Sequence, residues 1–205
     1  HSTSRRQRQM CIRDSISTYA AVAIFAAAIT STVFLFFSRE YDGWITSYVG
    51  GDGLEADVVV LPDGTRVSLG TRTSFSYDSR YGQSERVVQL EGEAYFEVAK
   101  DKDKPFIVNT KEQSIKALGT KFNVSAYPTD SLLTTTLLEG SILLTTQSLL
   151  HPTVLRPNEQ FVYNKKTQSA LLQQVDANRF VSWTTGYYYF PEQSLDAILY
   201  RLSHV

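Results

Sequence analysis

The clearest pattern along the chain is an alternation of apolar and polar side chains between Val88 and Val98. Val88, Leu90, Gly92, Ala94, Phe96 and Val98 fall on one face, and Gln89, Glu91, Glu93, Tyr95 and Glu97 fall on the other. A period of two residues predicts a β-strand with one face in the core and one in water. Because Gly92 lies in the middle of the inward face, it predicts a bulge or the close approach of another strand.

Shorter strand patterns surround this one, separated by residues that favour turns. The first two, 57–61 and 65–69, flank Pro62-Asp63-Gly64, which predicts a hairpin with Gly64 at a positive φ. The others are 106–108, 114–118, 122–127, 134–138, 141–145, 153–155 and 160–163. Many short strands with no helix between them predict an all-β domain over residues 57–178. A sandwich-like fold is favoured over a short β-solenoid, since no repeat period is visible.

Residues 16–37 form an uninterrupted run without a charged side chain. As a helix this run would be about 33 Å long, close to the ~30 Å hydrocarbon core of a bilayer, so it predicts a single transmembrane helix. A cleaved signal peptide is the alternative, but its apolar region should span only about 7–15 residues. Residues 1–15 would then be a cytoplasmic remnant.

The charges that flank this run predict its orientation. Residues 1–15 carry four arginines and one aspartate, a net charge of 4 − 1 = +3, whereas residues 38–42 carry one arginine and two acids, a net charge of 1 − 2 = −1. Positive flanks stay in the cytoplasm, which predicts an inner-membrane protein whose main domain is periplasmic. Residues 38–56 include four glycines and predict a flexible juxtamembrane stalk.

The pattern changes once more over residues 179–205. Val181, Trp183 and the run 187–190 predict a strand, and Pro191 opens a helix whose apolar residues Leu195, Ile198, Leu199 and Leu202 repeat with helical spacing. One strand and one amphipathic helix cannot enclose such a stripe, so we expect the start of a truncated small α/β domain. In the aromatic run, alternate members should face away from the helix.

Composition narrows the classes of function. A net charge of −1 gives no electrostatic footprint for nucleic acid. The single cysteine, Cys11, precedes the apolar run, so the predicted exported domain contains no disulfide. The three histidines are isolated in the sequence, which argues against a zinc site. Glu91, Glu93 and Glu97 are better explained as a solvated strand face than as a catalytic pair. We therefore expect a non-enzymatic chain with no metal and no cofactor.

Several motifs, taken in order, resemble the FecR family of transmembrane regulators of extracytoplasmic-function sigma factors. They are Leu-Pro-Asp-Gly-Thr-Arg-Val-Ser-Leu at 61–69, Leu-Glu-Gly-Glu-Ala-Tyr-Phe-Glu-Val at 90–98, Lys-Pro-Phe-Ile-Val at 104–108, Leu-Gly-Thr-Lys-Phe-Asn-Val at 118–124 and Leu-Leu-Glu-Gly-Ser at 137–141. The structural positions within them are Pro62, Asp63, Gly64, Gly92, Phe96, Gly119, Phe122 and Gly140. The segment from Trp183 to Asp196 is similar to the start of the family's C-terminal domain.

The resemblance implies an anti-sigma factor that relays the state of an outer-membrane TonB-dependent transporter, for iron-siderophore or polysaccharide uptake, to a sigma factor. Its expected partners are the transporter's signalling domain, bound through Trp183, Tyr187 and Tyr189, and the sigma factor. Family members carry a helical sigma-binding domain before the membrane helix, and the fifteen residues here predict that this chain lacks it. A membrane-anchored periplasmic binding module, for example for glycan, with no transcriptional role, is the alternative.

Overall fold

The computed structural model describes residues 26–32, 44–51, 56–187, 195, 198 and 199. The chain divides into two units, 1–43 and 44–205, and each is described by itself. In the first unit, residues 26–32 are helical, and the hydroxyl of Thr30 donates to the carbonyl of Ala26 over 2.9 Å. Over the described residues we find no helix with the length and apolar character needed to span a membrane. Residues 16–25 and 33–37 of the predicted transmembrane helix lie outside the described residues.

The second unit is built from strands and two short 3-10 helices. The strands are β1 (Trp44–Val49), β2 (Asp57–Val60), β3 (Arg66–Leu69), β4 (Ser74–Asp78), β5 (Arg86–Glu97), β6 (Phe106–Asn109), β7 (Gln113–Ala117), β8 (Lys121–Ala126), β9 (Leu132–Glu139), β10 (Ile142–Thr146), β11 (Thr153–Leu155), β12 (Glu159–Asn164) and β13 (Ser169–Gln174). The 3-10 helices follow at Ala177–Phe180 and Ser182–Thr185. Residues 195, 198 and 199 are also helical.

Strand β5 organises the sheet because it is long enough to pair with two sets of neighbours. Its N-terminal part pairs with β4 and β6, which gives a first half in the order β1-β4-β5-β6-β7-β10-β11. Its C-terminal part pairs with β3 and β8, which gives a second half in the order β2-β3-β5-β8-β9-β12-β13. Only β5 and β6 run parallel among the described pairs. The result is one continuous sheet that curls around β5.

The sheet changes neighbours at Gly92. This residue has a φ of +119°, a backbone conformation that residues with a side chain rarely adopt. A Cβ placed there would lie 2.7 Å from the Cα of Thr73. The Thr73 hydroxyl instead accepts a hydrogen bond of 2.9 Å from the backbone N–H of Glu93. Only glycine allows the segment before β4 to approach β5 this closely. The close approach predicted from the sequence is confirmed.

The inner faces of both halves share one core. Phe96 of β5 is fully buried and stacks on Phe122 of β8, with 5.0 Å between the ring centroids. The ring centroids of Phe106 in β6 and Phe75 in β4 lie 5.9 Å and 6.3 Å from that of Phe96. These rings come from both halves of the sheet, so the curl brings the two inner faces together. Burial of four such rings supplies a large share of the apolar area that stabilises the unit.

The predicted mainly-β class is confirmed, with one refinement of the architecture. The hairpin 57–69, the alternation along β5 and the strands from β6 to β12 all appear, with bounds that differ by one or two residues. A sandwich of two separate sheets is not what forms, because β5 belongs to both halves and makes the sheet continuous. A solenoid of stacked strands is not formed either, since the described pairs are antiparallel in all but one case.

Two expectations about local structure are wrong. Residues 44–49, inside the stretch predicted as a flexible stalk, form β1 and pair with β4. Residues 181–185, predicted to begin a strand, instead include a 3-10 helix that ends at Gly186 with a φ of +79°. Residues 188–190 of the same predicted strand lie outside the described residues. In both places the sequence lacks an alternation strong enough to indicate the backbone conformation.

Candidate functional site

A buried ion pair lies where the hairpin turn meets the start of β5. The side chain of Arg86 is only 1% exposed, and its Nη1 lies 2.6 Å from Oδ2 of Asp63. Thr65 holds the same carboxylate, donating through its backbone N–H over 3.1 Å and through its hydroxyl over 2.7 Å. The turn 62–64 therefore places a carboxylate beside the buried guanidinium of Arg86.

Arg86 also ties two loop carbonyls to the sheet. Its Nε donates to the carbonyl of Lys104 over 2.8 Å, and its Nη1 donates to the carbonyl of Ala99 over 2.9 Å. The guanidinium carbon lies 5.6 Å from the centroid of the Phe106 ring, a cation–π distance. One side chain thus joins the β2–β3 turn, β5 and the loop after β5. Buried charge is tolerated here because it is paired and hydrogen-bonded.

The electrostatics of this cluster indicate a structural role. Burial disfavours the Asp63 carboxylate, but the hydrogen bonds from Thr65 and Arg86 outweigh it and lower the pKa of Asp63. Burial and the neighbouring Asp63 charge raise the pKa of Tyr81. Nη2 of Arg86 is buried without a hydrogen-bond partner among the described residues. An acid held charged and a phenol held neutral stabilise one arrangement and offer no proton-transfer group near neutral pH.

A second polar cluster crosses the outer face of the second half of the sheet. Gln173 donates from Nε2 to Oε1 of Gln160 over 2.8 Å, and Gln160 donates from Nε2 to the hydroxyl of Thr136 over 2.9 Å. On β8, Asn123 donates from Nδ2 to Oε1 of Glu93 over 2.8 Å. Gln160, Thr136 and Asn123 are each at most 3% exposed although they lie on the face opposite the core. Chain beyond the sheet therefore covers this face.

The segment that follows β13 supplies part of that cover. Its first 3-10 helix packs against β9, and Ala177 is 1% exposed. The backbone N–H of Val175 donates to the carbonyl of Asn158 over 2.8 Å, and that of Ala177 donates to the Asn158 side chain over 3.4 Å. Trp183, in the second 3-10 helix, is 5% exposed, and its Nε1 has no hydrogen-bond partner among the described residues. The segment is thus folded onto the β domain.

The three predicted partner-binding residues are not brought together as one surface. Trp183 is buried, so it is not presented to a partner in this arrangement. Tyr187 is 75% exposed, and Tyr189 lies outside the described residues. Beyond them, Leu195 is 68% and Leu199 is 55% exposed. The exposed apolar residues of the C-terminal part therefore begin after the second 3-10 helix.

The structural-motif residues occupy turns and the core, as their types suggest. Pro62, Asp63 and Gly64 form the β2–β3 turn, Gly92 and Phe96 lie in β5, Gly119 lies in the β7–β8 turn, Phe122 lies in β8, and Gly140 lies in the β9–β10 turn. Sequence reasoning missed Arg86, because a single arginine before a strand gives no periodic signal. It also gave Glu93 to open solvent, whereas this carboxylate accepts a hydrogen bond from buried Asn123.

The described part of the chain holds no group of three or more histidine, cysteine, aspartate or glutamate side chains that could bind a metal. His151 is exposed, and the other two histidines lie outside the described residues. The glutamates of β5 lie on its outer face: Glu91 is exposed, and Glu97 is partly exposed.

Comparison with known proteins gives consistent results. A family model described as FecR protein matches residues 51–143, which run from just before β2 into β10. Two crystal structures, each of a putative anti-sigma factor from Parabacteroides distasonis, are 33% identical to this chain. One aligns with a TM-score of 0.72 over 78% of this chain and 74% of its own. The other has a TM-score of 0.71 over 78% and 73%. Among curated proteins, no sequence matches this chain.

Proposed function

The chain belongs to the FecR family, and from this membership we propose that it is a signal transducer that regulates a sigma factor. The observation that carries the proposal is the 33% identity, spread over 78% of this chain, to structures of a putative anti-sigma factor. Identity at this level over most of the chain supports a shared role as well as a shared fold.

In detail, we propose that the chain senses an outer-membrane TonB-dependent transporter of iron-siderophores or polysaccharides. The β domain would lie in the periplasm, tethered to the inner membrane by residues 16–37. Support for the tether comes from the uncharged run and from flanking charges of +3 and −1. Support for a protein partner comes from the exposed apolar residues Tyr187, Leu195 and Leu199. Solvent-exposed apolar residues grouped in one stretch are a common feature of interaction surfaces.

We further propose that the chain acts by binding and carries out no chemistry. The buried guanidinium of Arg86 is neutralised by Asp63 and anchors backbone carbonyls. A protein that signals by binding needs a stably folded domain. The buried ion pair contributes to that stability by fixing the β2–β3 turn to β5.

The regulatory role is tested in a bacterium that carries the gene, by deleting it and measuring all transcripts. We expect one set of promoters that depends on a single extracytoplasmic-function sigma factor to change at least several-fold, and the full-length gene to restore it. A complemented strain with Asp63→Asn, which destabilises the domain, should restore it only in part. Transcripts that stay unchanged under iron limitation and on polysaccharide substrates would contradict the proposal and favour a binding module without a transcriptional role.

The topology is tested with reporter fusions after Val205. Alkaline phosphatase, which is active only in the periplasm, should be active there, and β-galactosidase should be inactive. Replacing the four arginines of residues 1–15 by glutamine is the matched control, because it removes the charge bias and leaves the apolar run intact. Activity of β-galactosidase alone in the unmodified fusion would overturn the periplasmic assignment.

A further inference from the structure

We propose that two copies of this chain pair through the outer edge of β13, which extends the second half of the sheet across a two-fold axis. This inference goes beyond the proposed signalling role, because nothing in that role requires a second copy. It rests on the exposure of β13, its lack of charge and the direction of its backbone groups.

β13 is the least protected edge of the described sheet. All six of its residues are exposed, and on the described residues only β12 pairs with it. Its sequence, Ser-Ala-Leu-Leu-Gln-Gln, has no charge and no proline. Leu171 is 58% exposed on one face and Leu172 is 45% exposed on the other. Edges of this kind accept another strand unless something prevents it.

Each of the other three edge strands has a feature that disfavours pairing with another strand. β11 has only three residues and follows Pro152. β2 begins with the charged residue Asp57. β1 is irregular, with a register shift between Trp44 and Thr46, and a bulge bends an edge away from a flat partner. β13 has none of these devices, so it is the edge on which pairing costs least.

The hydrogen bonds of the β12–β13 hairpin show which backbone groups of β13 face outward. The N–H of Val175 donates to the carbonyl of Asn158 towards β12, and the N–H of Lys165 donates to the carbonyl of Ser131 towards β9. Both bonds lie in register with their ladders. Hydrogen-bonded and non-hydrogen-bonded pairs alternate along antiparallel strands, so residues 169, 171 and 173 bond inward. Ala170, Leu172 and Gln174 therefore direct their N–H and C=O groups outward.

These three outward-facing residues are arranged symmetrically about Leu172, which is the reason for choosing a second copy as the partner. A two-fold axis at Leu172 pairs it with Leu172 of the other copy and pairs Ala170 with Gln174 in both directions. Each hydrogen-bonded pair exchanges two bonds, so this register forms about six. An axis at Leu171 would instead place Gln174 opposite Gln168, whose φ of +53° belongs to the hairpin turn. The register at Leu172 is therefore preferred.

Side chains favour the same arrangement. Leu172 pairs with Phe161 of β12, which is 3% exposed and belongs to the core. A second Leu172 beside the first would continue this apolar row and cover the part that is now exposed. Because β13 has no charged residue, two copies meet without repulsion, which is the electrostatic condition for self-pairing.

A cysteine at position 172 tests the register directly. In the full chain with Cys11→Ser, Leu172→Cys should form a disulfide-linked dimer under mild oxidation, since opposite residues of a hydrogen-bonded pair lie about 5.5 Å apart at Cα. The matched control is Val154→Cys, at a slightly more exposed position on β11 (55% against 45% for Leu172), and it should remain monomeric on a non-reducing gel. Absence of the disulfide in Leu172→Cys at about 100 µM protein would overturn the proposal, as would equal cross-linking of both variants.

A proline at the same position tests the backbone bonds. Leu172→Pro removes only an N–H that faces outward, so the hairpin should fold and the dimer should be lost. Leu171→Pro, its matched control, removes an N–H that bonds to β12 and should lower the unfolding temperature instead. Molecular mass by light scattering and circular dichroism are the readouts. A folded Leu172→Pro chain that keeps the dimer would overturn the proposal, and the cross-linking result decides the matter if that variant does not fold.

Discussion

Removing one charge of the Asp63–Arg86 pair is the perturbation whose cost follows most directly from the geometry. Asp63→Asn keeps the size of the side chain and an oxygen for Thr65, but it leaves the guanidinium of Arg86, 1% exposed, without its counter-charge. Breaking a buried ion pair from one side costs about 3–5 kcal/mol. Because the Asp63 side chain is 18% exposed and some water reaches it, we expect the lower end, about 3 kcal/mol.

Removing the arginine instead of the aspartate destabilises the fold in a different way. Arg86→Met removes the charge and leaves the carbonyls of Lys104 and Ala99 without their donor, at about 1–3 kcal/mol for each buried group. The partly exposed carboxylate of Asp63 can regain water. In the double variant neither charge is left alone, so its total loss should fall short of the sum of the single losses by about 1.5–3 kcal/mol.

The assay is urea unfolding of the full chain in mild detergent, followed by far-ultraviolet circular dichroism. The matched control is the pair Asp78–Arg80, with 2.9 Å between nitrogen and oxygen, in which the arginine is 54% exposed and can regain water. Asp78→Asn should cost less than about 1 kcal/mol. Losses that add in the Asp63–Arg86 double variant, or equal losses for Asp63→Asn and Asp78→Asn, would refute the reasoning that the buried arginine depends on its counter-charge.

Three further experiments test the packing of the core, the need for glycine at position 92 and the stability of the fold at acid pH. Phe96→Ala should lower the free energy of unfolding by about 3–5 kcal/mol and Glu91→Ala, on the exposed face of the same strand, by less than about 0.5 kcal/mol; equal losses in urea would contradict the assignment of faces. Gly92→Ala should cost at least about 2 kcal/mol because of the contact it forces, whereas Gly82→Ala, also at positive φ but with open space around it, should cost about 1 kcal/mol in the same assay. The folded state lowers the pKa of Asp63, so the ionised carboxylate stabilises the fold above its unfolded pKa of about 3.9. This stabilisation is lost as the pH falls through the folded pKa. The urea midpoint of the wild type should therefore exceed that of Asp63→Asn at neutral pH, and the difference should shrink below about pH 4.

The sequence predicts the strands whose two faces differ in environment. β5 alternates over its whole length because its inner face is core and its outer face is partly exposed, and the predicted inner residues are all buried. β13 gives no such signal, since all six of its residues are exposed. In β4 only Phe75 is fully buried, and the other four residues are partly buried or exposed, so the contrast between its faces is weak. A strand is visible in sequence to the extent that burial differs between its faces.

The contacts of the site residues, in contrast, could not be predicted from the sequence. Asp63 could be recognised as a turn residue, but its pairing with Arg86 joins positions that are 23 residues apart, and no spacing rule connects them. Trp183 was expected on a strand that meets a partner, whereas a 3-10 helix folds it onto the β domain. Long-range polar pairs and covers of this kind are decided by topology.

Asn158 shows how the segment after β13 depends on the hairpin. With a φ of +64°, this residue lies just before β12, and it accepts hydrogen bonds from the backbone of Val175 and, more weakly, of Ala177. The last bond of the hairpin and the first contact of the 3-10 segment therefore share one residue. A partner that binds after Gly186 and a second copy that binds β13 would act on adjacent parts of the same short connection. Binding at one place changes affinity at the other only if it alters how firmly this connection is held. Cross-linking at position 172, measured with and without a partner bound near Tyr187, would quantify that coupling.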